Sequence, residues 1–190
     1  MVMADQVKVV SICGSLRKKS FNAALARIAA TLAPPGLSIV AAPPLDGFPL
    51  YNHDIQDNAG FPAAANDLAA AIRSADGVLI CSPEYNWSMP GVLKNAIDWV
   101  SRMKEQPFAM KPVALQSAAT GLLGGSRMQY HLRQSLTSID AVLFGRPEVI
   151  VTFAGQKFDD RLELKDRATI DLIKQQLAGF EKLIRKVTGK

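Results

Sequence analysis

Apolar runs of strand length alternate with helix-forming segments from one end of this chain to the other. Strands separated by helices pair in parallel through right-handed crossovers, with helices on both faces of one sheet. The first strand is expected at Val7–Cys13, followed by a helix over Phe21–Leu32 that Pro34-Pro35-Gly36 stops. Leu37–Ala41 reads as a short second strand. Residues 43–61 form a long loop rich in Pro, Asp, Asn and Gly, and a loop of that length is usually functional or lid-like. Phe61-Pro62 opens an Ala-rich helix to about Ser74, and Gly77–Cys81 is the third strand. Pro90 suits the first turn of the next helix, where Val92, Ile97 and Val100 fall close to one face. Residues 112–117 form the fourth strand, and a helix follows to about Ile139. Residues 141–144 and 148–153 read as one fifth strand, interrupted at Gly145 and Pro147, before a closing helix over roughly residues 166–187.

Five such strands in 190 residues favour one flavodoxin-like domain over residues 1–190, a three-layer α/β sandwich with strand order 2-1-3-4-5. No internal repeat, linker or low-complexity tract divides it. Hydrophobic residues at 48% and charged residues at 21% fit a globular chain rather than a disordered one. The net charge of +5 does not imply nucleic acid, because Lys and Arg are interleaved with Asp and Glu, as over residues 162–190. The longest apolar runs are strand-length, which argues against a membrane span. Residues 1–6 carry no basic region leading into an apolar run, so no export signal is read and the cytoplasm is expected. Cys13 and Cys81 each end a strand and read as buried, reduced thiols. Two thiols and two distant histidines make no metal cluster, so no metal is expected. His53 in a polar loop and His131 in a helix read as ordinary surface or satisfied side chains.

In an open parallel sheet, ligands bind outside the carboxyl ends of the strands where the order reverses, here between the first and third strands. The first loop reads Gly14-Ser15-Leu16-Arg17-Lys18-Lys19-Ser20-Phe21-Asn22. Gly14 permits a tight turn. Ser15, Ser20 and Asn22 are neutral donors, Arg17 adds charge, and N–H groups of the following helix point the same way. Together they suit a phosphate monoester. The same residues also read as a helix cap at Ser20 with a solvated basic loop. The second loop, Ser82-Pro83-Glu84-Tyr85-Asn86-Trp87-Ser88-Met89-Pro90-Gly91, suits a flat heteroaromatic ring, with stacking from Tyr85 and hydrogen bonds from Asn86 and peptide groups. Tyr85 and Trp87 read equally as core plugs on a rigid turn. The third loop, from Ser117 to Arg127 with Gly121, Gly124 and Gly125, can offer N–H groups to a ring carbonyl, or is simply a Gly-rich turn.

Three segments carry a family resemblance: Gly-Ser-Leu-Arg-Lys-Lys-Ser-Phe-Asn, Ser-Pro-Glu-Tyr-Asn-Trp-Ser-Met-Pro-Gly-Val-Leu-Lys-Asn-Ala-Ile-Asp-Trp and Gly-Gly-Ser-Arg-Met-Gln-Tyr-His-Leu-Arg. They resemble, in the same order and over nearly the whole chain, the NAD(P)H-dependent FMN reductase family, in particular its bacterial chromate and quinone reductases. The resemblance implies FMN with its phosphate at Ser15, Arg17, Ser20 and Asn22, where Phe21 also lies, and its ring along Pro83, Glu84, Tyr85, Asn86 and Ser117. It implies dimers that pair into tetramers, with Arg127, Tyr130 and Glu148 in a contact between subunits. A tyrosine often joins that contact where this chain has Trp87. Trp offers a donor but no acceptor, so the contact must differ in detail.

The implied activity is ping-pong, two-electron transfer from NADPH or NADH through FMN to quinones, with chromate and other soluble molecules as further acceptors. No side chain is needed as acid or base, because the flavin carries the chemistry. Arg102 reads either as a guide for an anionic group or as a member of a surface salt bridge. A non-enzymatic electron carrier on the same fold is the alternative. A receiver-like module is disfavoured, since Ser-Ile-Cys-Gly-Ser offers no clustered acids after the first strand.

Overall fold

Four strands of the sheet, β1 (Val7–Cys13), β2 (Leu37–Ala41), β3 (Gly77–Cys81) and β4 (Pro112–Ala118), sit where the apolar runs place them. The computed structural model describes residues 6–190, so nearly all of the stretch read for an export signal, residues 1–5, lies outside it. All pairings are parallel: Val7 stands opposite Leu37, Cys13 opposite Cys81, and Cys81 opposite Gln116. The fifth strand is two short pieces, β5 (Val142–Leu143) and β6 (Val149–Val151), both paired with β4. The order is β2-β1-β3-β4-β5, with β6 extending the same edge beside β4. The break falls at Gly145 and Pro147, and a proline cannot donate to a ladder.

The helices are α1 (Phe21–Leu32), α2 (His53–Ala59), α3 (Ala63–Ser74), α4 (Gly91–Val100), α5 (Ser126–Thr137), α6 (Ala154–Lys157) and α7 (Arg167–Thr188). The two-residue period of the strands divides their side chains between two cores. Val10, Ile12, Val78, Ile80, Val113 and Leu115 pack with α3, α4 and α5. Val7, Val9, Leu79, Cys81 and Ala114 face α1 and α7. In α7 the buried Thr169, Ile173, Gln176, Leu177, Phe180 and Ile184 recur at helical spacing, and Asp166 caps the helix by accepting from the Thr169 N–H.

Three details depart from the sequence expectation. The helix expected to open at Phe61-Pro62 starts at Ala63, with Pro62 in the cap position. α2 lies inside the long loop and buries no residue, so no apolar period announces it. That loop is also strapped down rather than poised as a lid. Pro49 O accepts from Trp99 Nε1 at 2.8 Å and Asn95 Nδ2 at 2.9 Å, and the Tyr51 N–H donates to Asn95 Oδ1 at 2.8 Å. Tyr51 then meets the buried Trp99 edge-on, with ring centroids 5.0 Å apart. Among the described residues, no helix is long and apolar enough to cross a membrane.

Candidate functional site

Because β1, β3 and β4 end side by side, the loops that follow them meet at one edge of the sheet. Gly14 leaves β1 with its N–H on Cys81 O at 2.9 Å. A tight turn is not what requires glycine there. A Cβ would lie 2.8 Å from Ser82 Cβ and 3.2 Å from Leu93 Cδ2, and closer still to Ser82 Oγ, so the first and second loops touch through the missing side chain. Ser20 caps α1, its Oγ accepting from the N–H groups of Asn22 at 3.2 Å and Ala23 at 3.3 Å. Arg17 is exposed, and its guanidinium makes no hydrogen bond, ion pair or ring contact with any described residue; its backbone N–H donates to Ser15 Oγ at 3.3 Å.

Asn22 was expected to donate to a ligand, but it mainly joins the first loop to the third. Its Nδ2 donates to Ala118 O and its Oδ1 accepts from the Ala118 N–H, both at 2.9 Å, leaving one amide hydrogen free. Phe21 packs on Phe158 with centroids 5.1 Å apart.

The second loop closes on itself through two hydrogen bonds between Tyr85 and Ser88, at 2.9 and 3.0 Å. Asn86 (φ 48°) and Trp87 (φ 69°) at its tip are left-handed, ordinary for Asn but costly for Trp. Neither aromatic plugs the core, since Tyr85 is 51% and Trp87 65% exposed. Arg127 Cζ lies 4.3 Å from the Trp87 ring centroid, a cation–π contact. Glu84 is nearly buried and its carboxylate is taken up by α5. Its Oε1 accepts from Arg127 Nε at 2.6 Å and Nη2 at 2.5 Å, and its Oε2 from the Met128 N–H at 3.2 Å. The carboxylate thus supplies the start of α5 with the cap that Gly125 lacks.

In the third loop Gly124 (φ 57°) and Gly125 (φ 94°) are left-handed, and a Cβ on Gly125 would lie 2.8 Å from Ser117 Cβ. Ser117 is therefore covered: it is fully buried, its Oγ accepts from Gln129 Nε2 at 2.9 Å, and it lines neither of the two hollows at this edge. The backbone beyond it is available, because the N–H groups of Thr120 and Gly121 donate to no described residue.

These loops enclose a pocket of about 180 Å³ lined by Ser15, Arg17, Ser20, Phe21, Asn22, Pro83, Glu84, Tyr85 and residues 118–120. A second hollow of about 330 Å³, lined by residues 121–125 and Arg127, shares Glu84 and Ala119 with it. Of the residues singled out in the sequence, eight meet in the first pocket, while Asn86 and Ser117 do not line it. Sequence reasoning missed Gln129, a buried glutamine inside an amphipathic helix, which no pattern distinguishes from a surface one. Arg102 lines neither pocket, and its guanidinium stacks over Tyr51 at 5.4 Å instead of forming a salt bridge. Cys13 and Cys81 are both free thiols whose pKa burial raises, Cys81 well above the ordinary value.

A cationic loop, an aromatic turn and a glycine loop around the β1/β3 crevice of this sheet define a flavodoxin-like nucleotide-binding protein. The chain belongs to the NADPH-dependent FMN reductase family, whose model matches residues 7–156. It is 45% identical over 186 residues to a quinone reductase of Escherichia coli (strain K12), covering 97% of this chain and 99% of that protein. It is 46% identical over 187 residues to an NAD(P)H-dependent FMN reductase of Pseudomonas aeruginosa, covering 98% and 100%. Among solved structures, FerB, a flavoenzyme NAD(P)H:(acceptor) oxidoreductase from Paracoccus denitrificans, superposes with a TM-score of 0.84 at 30% identity, covering 95% of this chain and 98% of that one.

Proposed function

We propose that the chain is an FMN-dependent oxidoreductase that takes electrons from NADPH or NADH and delivers them in pairs to quinones. The observation that carries this reading is the pocket beside Arg17. An uncompensated guanidinium, the N-terminus of α1 and the free N–H of Thr120 surround a hollow walled on one side by Tyr85, and the free N–H of Gly121 lies at the adjoining hollow. These residues fit FMN. Arg17, Ser15 and the start of α1 would hold the phosphate, while Pro83, Tyr85 and the backbone N–H groups of Thr120 and Gly121 would hold the ring. Bound there, FMN supplies the hydride-accepting chemistry, so no protein acid or base is required. Relatives of nearly full length are named quinone reductase and NAD(P)H-dependent FMN reductase, which supports the same activity.

Paired electron delivery follows from charge. A lone carboxylate about 5 Å from a reduced ring would oppose its negative charge by about 3 kcal/mol at an effective dielectric near 20. Glu84 is the one acid lining either hollow among the described residues, and Arg127 neutralises it. The charge that remains unpaired at the pocket is that of Arg17, and the Thr120 N–H is free to donate. Steady-state kinetics with NADPH and a soluble quinone should give parallel double-reciprocal lines, and the flavin released on denaturation should be FMN, not FAD. Intersecting lines or released FAD would contradict the reading. Chromate is a further acceptor to assay in the same way.

A homodimer or homotetramer belongs to the same reading. Tyr85, Trp87, Leu122, Leu123, Tyr130 and Phe153 are large apolar side chains left exposed. Within the chain Arg127 pairs with Glu84, and Glu148 with Arg133 at 3.3 Å, with Tyr130 between the two arginines along α5. Arg127 and Glu148 keep 34% and 29% of their side chains exposed, enough to take a further partner across a subunit contact. Light scattering should therefore give at least a dimer, and a monomer at working concentration would refute this part. The free thiols suit a reducing compartment, and we place the protein in the cytoplasm.

A further inference from the structure

A cavity of about 470 Å³ opens between α1, the ends of β1 and β2, and residues 42–45; it shares only Ser15 with the cofactor pocket. α1 turns Ala23, Ala26 and Ala30 toward it along one helical stripe, so the helix leaves a hollow against Ile39 and Ala41 of β2. Pro43 and Pro44 stiffen the rim. The size and the mostly apolar lining match small-molecule sites, which carry a few polar groups for orientation.

One charged group lines this cavity, and it is Arg27. Its guanidinium makes no ion pair or hydrogen bond with any described residue, and no carboxylate lines the walls. Its charge does reach inside. Burial raises the Cys13 thiol, while the hydrogen bond to Ser15 and the positive charge of Arg27 draw it back. An apolar hollow with one unpaired guanidinium repels cations, and a neutral ligand gains there only the weaker hydrogen bonds that Arg27 and the Ser11 and Ser15 hydroxyls give an uncharged acceptor. A carboxylate meets the same fork with two parallel hydrogen bonds.

We propose that this cavity is a second ligand site, for a small amphiphilic anion whose apolar body lies against the alanine wall and whose carboxylate pairs with Arg27. Because Ser15 walls both hollows, occupancy here is felt by the loop that carries Arg17. Any effect of the anion on FMN affinity must be returned by FMN on the anion.

Decanoate titrated calorimetrically into the FMN-loaded protein tests this, with decanol as the uncharged control. Decanoate should bind once per chain with the flavin retained, and decanol more weakly. Arg27→Gln should weaken decanoate about tenfold, as loss of a charge-assisted pair does, and Arg27→Lys should lose less. Ala30→Phe, at an exposed position on the rim, should abolish binding while flavin content and circular dichroism stay unchanged. Four results would overturn the proposal: no decanoate binding, release of FMN by decanoate, equal affinity for decanol, or affinities that ignore both the Arg27→Gln and the Ala30→Phe changes.

Discussion

At Arg17 a guanidinium stands exposed beside the pocket with no acid among the described residues to neutralise it. A charge-assisted hydrogen bond to phosphate contributes about 1.5–3 kcal/mol, so Arg17→Ala should weaken FMN about ten- to a hundredfold without unfolding the chain. Fluorescence titration of the apoprotein measures this, and an unchanged dissociation constant would place the phosphate elsewhere. Gly14 makes a different kind of contribution, holding two loops in contact. Ser82 is fully buried and cannot move aside, so Gly14→Ala should cost about 1–3 kcal/mol of overpacking. Ser82→Gly in the same chain should recover part of that loss. Urea denaturation of the single and double variants decides, and equal stabilities for Gly14→Ala and the wild type would contradict the close approach. Trp87 holds a left-handed backbone that costs of order 1–3 kcal/mol. The turn hydrogen bonds of Tyr85 with Ser88 and the Arg127 stack are what keep it there.

Elements differ in how openly the sequence announces them. Residues 77–81 are apolar without interruption and residues 112–115 likewise, because both faces of a parallel strand are buried, and such runs have few other readings; β4 stays buried through Gln116 and Ser117 as well. The break between β5 and β6 was equally visible, marked by Gly145 and Pro147. α2 was not, since His53–Ala59 has no buried face and is held by its Asn52 cap and neighbouring loop contacts rather than by a period. At the site, the loop positions and most pocket residues were legible because strand order dictates which loops converge. The direction of a side chain was not. Whether Glu84 faced a ligand or Arg127, and whether Asn22 served a phosphate or Ala118, depends on partners more than 40 residues away. Asp76, between α3 and β3, offers a test at this scale. It accepts from the Lys8 N–H at 2.9 Å and from Lys190 Nζ at 2.8 Å, tying the end of α7 to β1. Burial pushes its carboxyl up, but hydrogen bonds from Lys190 and Lys8 and the charges of Lys190 and Lys111 outweigh it and hold it below the ordinary value. A lowered carboxyl stabilises the fold above its unfolded value of about 3.9, and that contribution is lost as pH falls through the folded value. Asp76→Asn should therefore be less stable than wild type near neutral pH, and the gap should narrow below about pH 4. Urea midpoints across that range check it, and a gap independent of pH would contradict it.

For the whole molecule, the sheet order places cationic, aromatic and glycine loops at one edge, and one family relates that arrangement to FMN and NADPH. The fold alone also serves electron carriers, so the chemistry must be read from the site. With Glu84 paired to Arg127, the unpaired charge lining the pocket is that of Arg17, which would favour a doubly reduced ring that serves a nicotinamide donor and a quinone in turn. The most direct test is an anaerobic half-reaction experiment on the flavin-loaded protein. One equivalent of NADPH per flavin should bleach the visible absorbance completely, and one equivalent of a soluble quinone added afterwards should restore it, both steps as fast as steady-state turnover. A flavin that NADPH fails to bleach, or that the quinone reoxidises far more slowly than turnover, would contradict the account.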